Sequence, residues 1–427
     1  MNKTGTLRNV AIVGASRIPF CRAGTAYADL TNLDMLVSAL QGLVDRYNLH
    51  GVQLDEVVAG AVSNHPKDFN LAREAVLGTS LSPLTPGISL QQACGTSLQA
   101  AFGIAAKIAC GQIECGIAAG ADSASDPPIL FSRKFSQRLV KLSKAKTLGE
   151  KFSVFKGFSM SELSPVAPAI AEPRTELSMG EHAELMAREW KIERAEQDEL
   201  ALASHNRAQA AYANCFFDDL LSPCAGMLRD NNLRYDLTLE QLSGLKPVFD
   251  RSATGTLTAG NSSALTDGAA SLLLASEDWA AENGLPVLAR LTHMETAAVD
   301  HVSGEGLLMA PTVAVANMLR KAGLSLQDFD YYEVHEAFAA QVLCTLKAWE
   351  SEEYCRERLG LDAALGSIDR SKLNIVGSSL ALGHPFAATG ARIAGTLAKL
   401  LNEAGQGRGL ISICTAGGMG VAAILEK

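Results

Sequence analysis

Residues Leu373–Gly418 read LNIVGSSLALGHPFAATGARIAGTLAKLLNEAGQGRGLISICTAGG. An apolar run breaks at a glycine turn, a helix-period segment follows from Phe386, and a second apolar run ends at Cys414 in another glycine turn. That is a strand–helix–strand plan. The plan has a twin. ISLQQACG (88–95) leads into a helix through about Cys110, and CGIAAGAD (115–122) is again a strand that ends in a glycine turn. Upstream of each unit lies a further apolar strand, DEVVAGAV (55–62) and DYYEVHEAF (330–338). Alternating strands and helices predict an α/β protein with helices covering a sheet. The repeated layout predicts an internal duplication, argued from order rather than residue identity.

Between the halves the character of the chain changes. SDPPILFSRKFSQRLVKLSKAKTLGEKF is irregular, and SMGEHAELMAREWKIERAEQDELALASHNRAQAAYA is strongly helical. The expected organisation is a first half over 1–122, an inserted loop domain over 123–247, a return of the first half over 248–283 and a second half over 284–427. NVAIVGASRIPF, near the start, reads as a buried strand and turn. Lys3, Arg8, Arg17 and Arg22 precede the first acid, Asp29, in the manner of a transit peptide, yet the strand places this end within the fold.

The 427 residues suffice for a core without disulfide staples, and the 48% apolar and 19% charged content is ordinary for a globular protein. A formal charge of −9 disfavours nucleic acid as a partner. The nine cysteines and eight histidines form no C-x-x-C pair and no zinc-like spacing, so no metal is expected and a reducing cytoplasm fits. No apolar run is long enough to span a bilayer. The terminal LEK is no peroxisomal address.

Cys94 stands one residue before a glycine where a helix begins. It is either a small packing residue or a thiolate favoured by the helix N-terminus. The N–H groups of Gly95, Thr96 and Ser97 are expected to point forward there, toward an anion or an oxyanion. His384 occupies the matching turn of the second unit, with Pro385 expected at the first helical position. Imidazole is the usual base for a thiol, so two equivalent turns carrying Cys and His point to nucleophilic chemistry. Cys414 ends a strand beside glycines that do not spell a dinucleotide fingerprint. His335, in HEAFA, is either an exposed edge residue or a second imidazole facing the same cleft. Two thiols and two imidazoles at strand ends suit Claisen chemistry on a thioester.

QQACGTSLQAAFG, TAGNSSALTDGAA, HEAFA, GHPFAATGAR and CTAGGMG, in this order, make the chain resemble the thiolase family along essentially its whole length. The resemblance implies a duplicated five-layered α/β/α/β/α fold with an inserted loop domain and a ping-pong reaction. In that reaction Cys94 takes the acyl group of a 3-ketoacyl-CoA, His384 takes the proton from Cys94, and Cys414 handles the proton of the acetyl-CoA carbanion and of the incoming CoA. His384 and His335 would form one oxyanion hole, and the N–H groups of Cys94 and Ala416 the other. Ser263 would touch the pantetheine arm and Met179 would line the acyl pocket. Arg234 would lie near the adenosine phosphates, or is a solvated loop charge. CoA is then a substrate and no cofactor is required.

Two positions depart from the usual family pattern. His335 stands where most thiolases carry Asn, a form that looks like the β subunits of fatty-acid β-oxidation complexes, and Ala416 replaces a more common glycine. The resemblance therefore implies thiolysis of medium- or long-chain 3-ketoacyl-CoA, with acetoacetyl-CoA synthesis and an inactive lipid-binding scaffold as alternatives. A homodimer and a hydratase/dehydrogenase α subunit are the implied protein partners. From Phe131 to Lys156, eight basic residues face one acid, net +7. Phe131, Phe135, Leu139 and Leu142 recur at helical spacing there. The segment is a solvated loop or a basic amphipathic helix that docks anionic lipid, a CoA tail or a partner.

Overall fold

The computed structural model describes residues 7–427. Lys3, one of the early basic residues, lies outside them. Among the described residues twelve strands follow one another as β1 (Val10–Arg17), β2 (Cys21–Arg22), β3 (Glu56–Gly60), β4 (Gly87–Ser89), β5 (Cys115–Asp122), β6 (Leu130–Phe131), β7 (Pro165–Val166), β8 (Thr266–Ser276), β9 (Ala289–Ala298), β10 (Tyr331–Val334), β11 (Arg408–Thr415) and β12 (Met419–Glu426). The main sheet runs β4-β3-β5-β8-β1-β9-β12-β11-β10.

Its centre is a mirror of the duplication. Outward from β1 the pairings with β8 and then β5 are antiparallel, and β3 adds in parallel. Outward from β9 the pairings with β12 and then β11 are antiparallel, and β10 adds in parallel. The two series meet where Ala11 and Ile12 pair with Arg290 and Ala289.

Period-two alternation of apolar residues separates the layers. Ile12, Ala118, Leu272 and Leu274 pack inward with Ile411, Ile413, Val421 and Ala423 in one core. The central helices Thr96–Ala109 and Thr389–Ala404 fill it, through Leu98, Ile104, Ile393 and Leu397. Their strand neighbours Ala11, Val13, Ile117 and Leu273 face the other way, onto the helix Asn32–Arg46. Leu410, Ala422 and Ile424 likewise face the helix Ala310–Ala322. Helix, one half of the sheet, helix pair, the other half of the sheet and helix make the five layers that the family resemblance implied.

The central helices touch backbone to backbone. A Cβ on Gly390 would come within 2.5 Å of the Leu98 nitrogen. The helical stretch from Met179 to Ala213 forms two helices, Met179–Glu189 and Arg194–Ala213. Asp230, further along the insertion, takes both guanidinium nitrogens of Arg17 on β1 at 2.6 and 2.8 Å, with Tyr212 donating at 2.6 Å.

Residues Pro127–Ile170 form a compact unit of their own. In it the basic stretch is two helices, Arg133–Lys144 and Leu148–Val154, rather than one. Ser132 caps the first, which leaves Phe131 outside it on β6. Thr147 and Glu150 form a capping box that starts the second. Phe131 and Phe135 still meet edge to face at 5.1 Å. Arg138 is tied to Glu162 at 2.6 Å. Among the described residues no helix is long and apolar enough to cross a membrane.

Candidate active site

Cys94 sits on an elbow between β4 and the helix Thr96–Ala109, with Ala93 in the left-handed region at φ +45°. The elbow closes its own hydrogen bonds. Gly95 N–H donates to the Gln92 carbonyl at 3.0 Å and Thr96 N–H to the Ala93 carbonyl at 3.1 Å. These two N–H groups are therefore not free to meet an anion, contrary to the reading of the sequence. The backbone of Cys94 itself and of Ala416 favours the thiolate, against the larger effect of burial. Gly95 lets the neighbouring chain come close, since a Cβ there would lie 3.0 Å from the Thr415 methyl carbon.

His384 reaches Cys94 from the second half, with Nε2 3.2 Å from Sγ. Its N–H donates to Thr266 Oγ1 at 2.7 Å, and its Nδ1 lies 2.6 Å from Thr389 Oγ1. Gly383 before it has φ +106°, a conformation only glycine holds without strain. Pro385 is not the first helical residue. It precedes a short 3₁₀ turn, Phe386–Ala388, in extended conformation, and the turn lets Ala387 N–H donate to the buried Asp122 at 2.7 Å.

His335 follows β10 and is wholly buried, not an edge residue. Its N–H donates to Ser412 O at 2.8 Å, its Nδ1 lies 3.0 Å from Ser379 Oγ, and its ring centroid is 4.2 Å from that of His384. Its Nε2 has no partner. Among the described residues, Cys94, His335 and His384 form a group of metal-ligand types whose donor atoms lie within 4.8 Å of one another.

Burial keeps the whole cluster neutral. It pushes the Cys94 thiol up to about 12, with the nearby Asp122 carboxylate adding to the rise. It pushes His384 down to about 3, with the Arg392 cation adding to the fall. His335 moves well below the usual imidazole range for the same reason, and Cys414, buried beside Cys94, moves well above the usual thiol range. The resting state is thus thiol and imidazole rather than an ion pair.

Cys414 lies at the end of β11, in an apolar cluster with Leu257, Leu308 and Phe338, and Met179 packs against that cluster. The loop after it is held by Glu172, which accepts Gly417 N–H at 2.7 Å. A cavity of about 440 Å³ is lined by Arg22, His205, Asn232, Arg234, Ser262 and Leu380 among others. Arg234 is part of this cavity's wall and is itself exposed. Ser263 does not line the cavity: its N–H donates to Ala337 O at 3.0 Å, while Ser262 lines it with a buried, unpartnered hydroxyl. Arg22 and His205 had no local signal, because only tertiary contact brings them to this wall.

The thiolase N-terminal domain model matches residues 10–278, and the thiolase C-terminal domain model matches 285–427. The chain belongs to the thiolase family. Among thiolases, it is 41% identical to a 3-ketoacyl-CoA thiolase of Alteromonas mediterranea, over 98% of this chain and 96% of that one. The crystal structure of the Bacillus anthracis acetyl-CoA acetyltransferase superposes with a TM-score of 0.81 at 33% identity, covering 99% of this chain and all of that one. Human mitochondrial 3-ketoacyl-CoA thiolase gives the same TM-score at 29% identity and the same coverage. Two thiolase halves, matched end to end, account for the mirrored sheet.

Proposed function

We propose that the chain is a 3-ketoacyl-CoA thiolase, an acyltransferase that cleaves medium- or long-chain 3-ketoacyl-CoA with free CoA in fatty-acid β-oxidation. The observation that carries the mechanism is the 3.2 Å contact between Cys94 Sγ and His384 Nε2. Cys94 sulfur attacks the 3-keto carbon as its proton passes to His384. Negative charge gathers on the keto oxygen, and breaking the bond between the second and third carbons leaves that charge on the acetyl-CoA carbanion. The Cys414 thiol protonates the carbanion, and acetyl-CoA departs. The Cys414 thiolate then takes the proton of CoA, whose sulfur attacks the acyl-Cys94 thioester. His384 returns its proton to the Cys94 sulfur as the shortened acyl-CoA leaves.

Donors serve both stages. His384 and His335 face the thioester oxygen whose charge grows when the carbanion forms. The N–H groups of Cys94 and Ala416 would serve the tetrahedral oxygen at the acylated carbon. Arg22 and Arg234 supply cations for the CoA phosphates at the cavity wall, and Ser262, with Ser263 behind it, supplies a donor for the pantetheine arm. Met179 would meet the acyl chain.

A short-chain reading has one observation in its favour, the likeness to an acetyl-CoA acetyltransferase. Competition of acetoacetyl-CoA against 3-ketohexadecanoyl-CoA for limiting CoA decides between them. Our reading expects tetradecanoyl-CoA to accumulate first, and expects a folded Cys94→Ala variant to release none. Preferential consumption of acetoacetyl-CoA would favour the short-chain enzyme, and thiolysis surviving in Cys94→Ala would overturn the mechanism. We further place the enzyme in the cytoplasm as a homodimer, with an α subunit or an anionic surface as the partner of residues 131–156. Nine free thiols support the reducing compartment.

A further inference from the structure

Two neutral imidazoles lie side by side in this site, and the reaction asks opposite things of them. His384 must present a lone pair to the Cys94 thiol. His335 must present a proton to a developing oxyanion. A neutral imidazole can do either from Nε2, depending on which nitrogen holds its hydrogen. We propose that Arg392, acting through Ser379, is the positioning device that fixes His335 as the Nε2–H donor. This rests on the thiolase reading of the site.

The assignment comes from counting hydrogens along two buried chains. Arg392 is a donor only. Its Nη2 lies 2.7 Å from Ser379 Oγ, and its Nη1 lies 3.0 Å from Ser378 Oγ. Ser379 Oγ therefore accepts from the guanidinium. Its own hydrogen must go elsewhere, and among the described residues its other partner is His335 Nδ1 at 3.0 Å. Ser379 O–H donates to Nδ1, so Nδ1 carries the lone pair and Nε2 carries the proton. Were Nδ1 protonated, Ser379 would receive two donors and hold a buried hydroxyl hydrogen with no acceptor. That costs a desolvated polar group. The unpartnered His335 Nε2 is then a donor awaiting an acceptor, as an oxyanion donor has to be.

The second chain runs the other way, because it ends on an acceptor. Thr389 Oγ1 donates to the Pro385 carbonyl at 3.3 Å and so accepts Nδ1–H of His384 at 2.6 Å. His384 Nε2 is left with the lone pair that meets the Cys94 thiol. A donor-only residue anchors one relay and a carbonyl anchors the other, so adjacent rings are held in opposite tautomers. Arg392 and Ser379 are both fully buried, on the helices Thr389–Ala404 and Ser379–Leu382, so the relay stays dry.

The test is nitrogen-15 histidine NMR of the full chain without substrate, where long-range proton couplings separate the two tautomers. Loss of one signal each in His335→Asn and His384→Asn assigns the rings. The relay predicts Nε2–H for His335 and Nδ1–H for His384; Nδ1–H on His335 would overturn it. Ser379→Ala should then lower kcat for thiolysis about 10- to 100-fold, with a His335 spectrum that no longer shows one tautomer. The rate of Cys94 alkylation by iodoacetamide should stay at the wild-type value, because the His384 chain is untouched. Ser379→Thr, which keeps the hydroxyl, should restore both the spectrum and most of kcat. Alkylation falling in step with kcat, or Ser379→Thr failing as Ser379→Ala does, would reduce Ser379 to packing. If 3-ketoacyl-CoA never acylates Cys94, the thiolase reading fails, while the tautomer assignment still stands or falls on the spectrum.

Discussion

At the scale of the residue, the nucleophile is stored as a thiol. Desolvation holds Cys94 up at about 12 and His384 down at about 3, so the proton remains on sulfur until a carbonyl carbon arrives. The two groups titrate as a coupled pair, and what an experiment sees is the pair. With the acid raised and the base lowered, the thiolate fraction grows with pH across the whole neutral and mildly alkaline range. Alkylation of Cys94 by iodoacetamide should therefore keep accelerating past about pH 9. A rate that levels off below about pH 7 would instead show a preformed thiolate–imidazolium pair. The sequence made Cys94, His384 and Cys414 legible because each stands near a glycine or proline turn, and His335 because it directly follows an apolar strand. It did not reveal Arg392 and Ser379, whose part depends on a hydrogen-bond direction that exists only after helices pack. The expectation of free N–H groups at Gly95 and Thr96 failed for a local reason. The left-handed Ala93 folds the elbow back on itself, and the turn uses those donors.

At the scale of the element, the site depends on how closely the two central helices approach. Cys94 opens one and His384 precedes the other, so the distance between nucleophile and base is set by their packing. Gly390 is where they touch. A methyl group there meets Leu98 N at 2.5 Å and Leu98 Cβ at 2.7 Å, and no side-chain rotation relieves contact with backbone. Gly390→Ala should lower stability by about 1–3 kcal/mol as an overpacked core does. It should also slow Cys94 acylation more than it weakens substrate binding, because it moves the base away from the thiol. Thermal melts and a comparison of kcat with KM check both; a variant with wild-type kcat would show that helix spacing does not set the pair. The central helices and the strands after them, β5 and β11, were legible in both units, but the apolar run from Leu373, read as the strand that opens the second unit, is a loop followed by the short helix Ser379–Leu382. The 3₁₀ turn at Phe386–Ala388 was not legible either, since it is imposed by Asp122 capturing Ala387 N–H across the fold.

At the scale of the whole molecule, duplication explains why the machinery divides as it does: the first half brings Cys94, and the second brings His335, His384 and Cys414. The layers were legible only through the family resemblance, because β1, β8, β11 and β12 are buried on both faces and their near-continuous apolar runs tell of a covered sheet without saying how many layers cover it. The basic stretch was read correctly in its charge but not in its shape, because the caps at Ser132 and Thr147 divide it into two helices. Those helices bury no residue, and Phe131, Leu148 and Phe152 stay exposed beside the cations. Arg138 is paired with Glu162, so Arg133 and the lysines carry the surface field. The protein should bind phosphatidylglycerol vesicles in low salt and lose them in high salt. Replacing the exposed Lys134, Lys141 and Lys144 with alanine should abolish binding; equal binding by that variant, or by phosphatidylcholine vesicles, would remove the anionic surface as a partner.

The central claim is that Cys94 becomes an acyl thioester. Its most direct measurement is rapid quenching of the enzyme with 3-ketohexadecanoyl-CoA in the absence of free CoA, followed by peptide mass spectrometry. A tetradecanoyl group on the peptide that carries Cys94, discharged on adding CoA, is the result predicted. An unmodified Cys94 while acetyl-CoA is released, or an acyl group on Cys414 in its place, would contradict it.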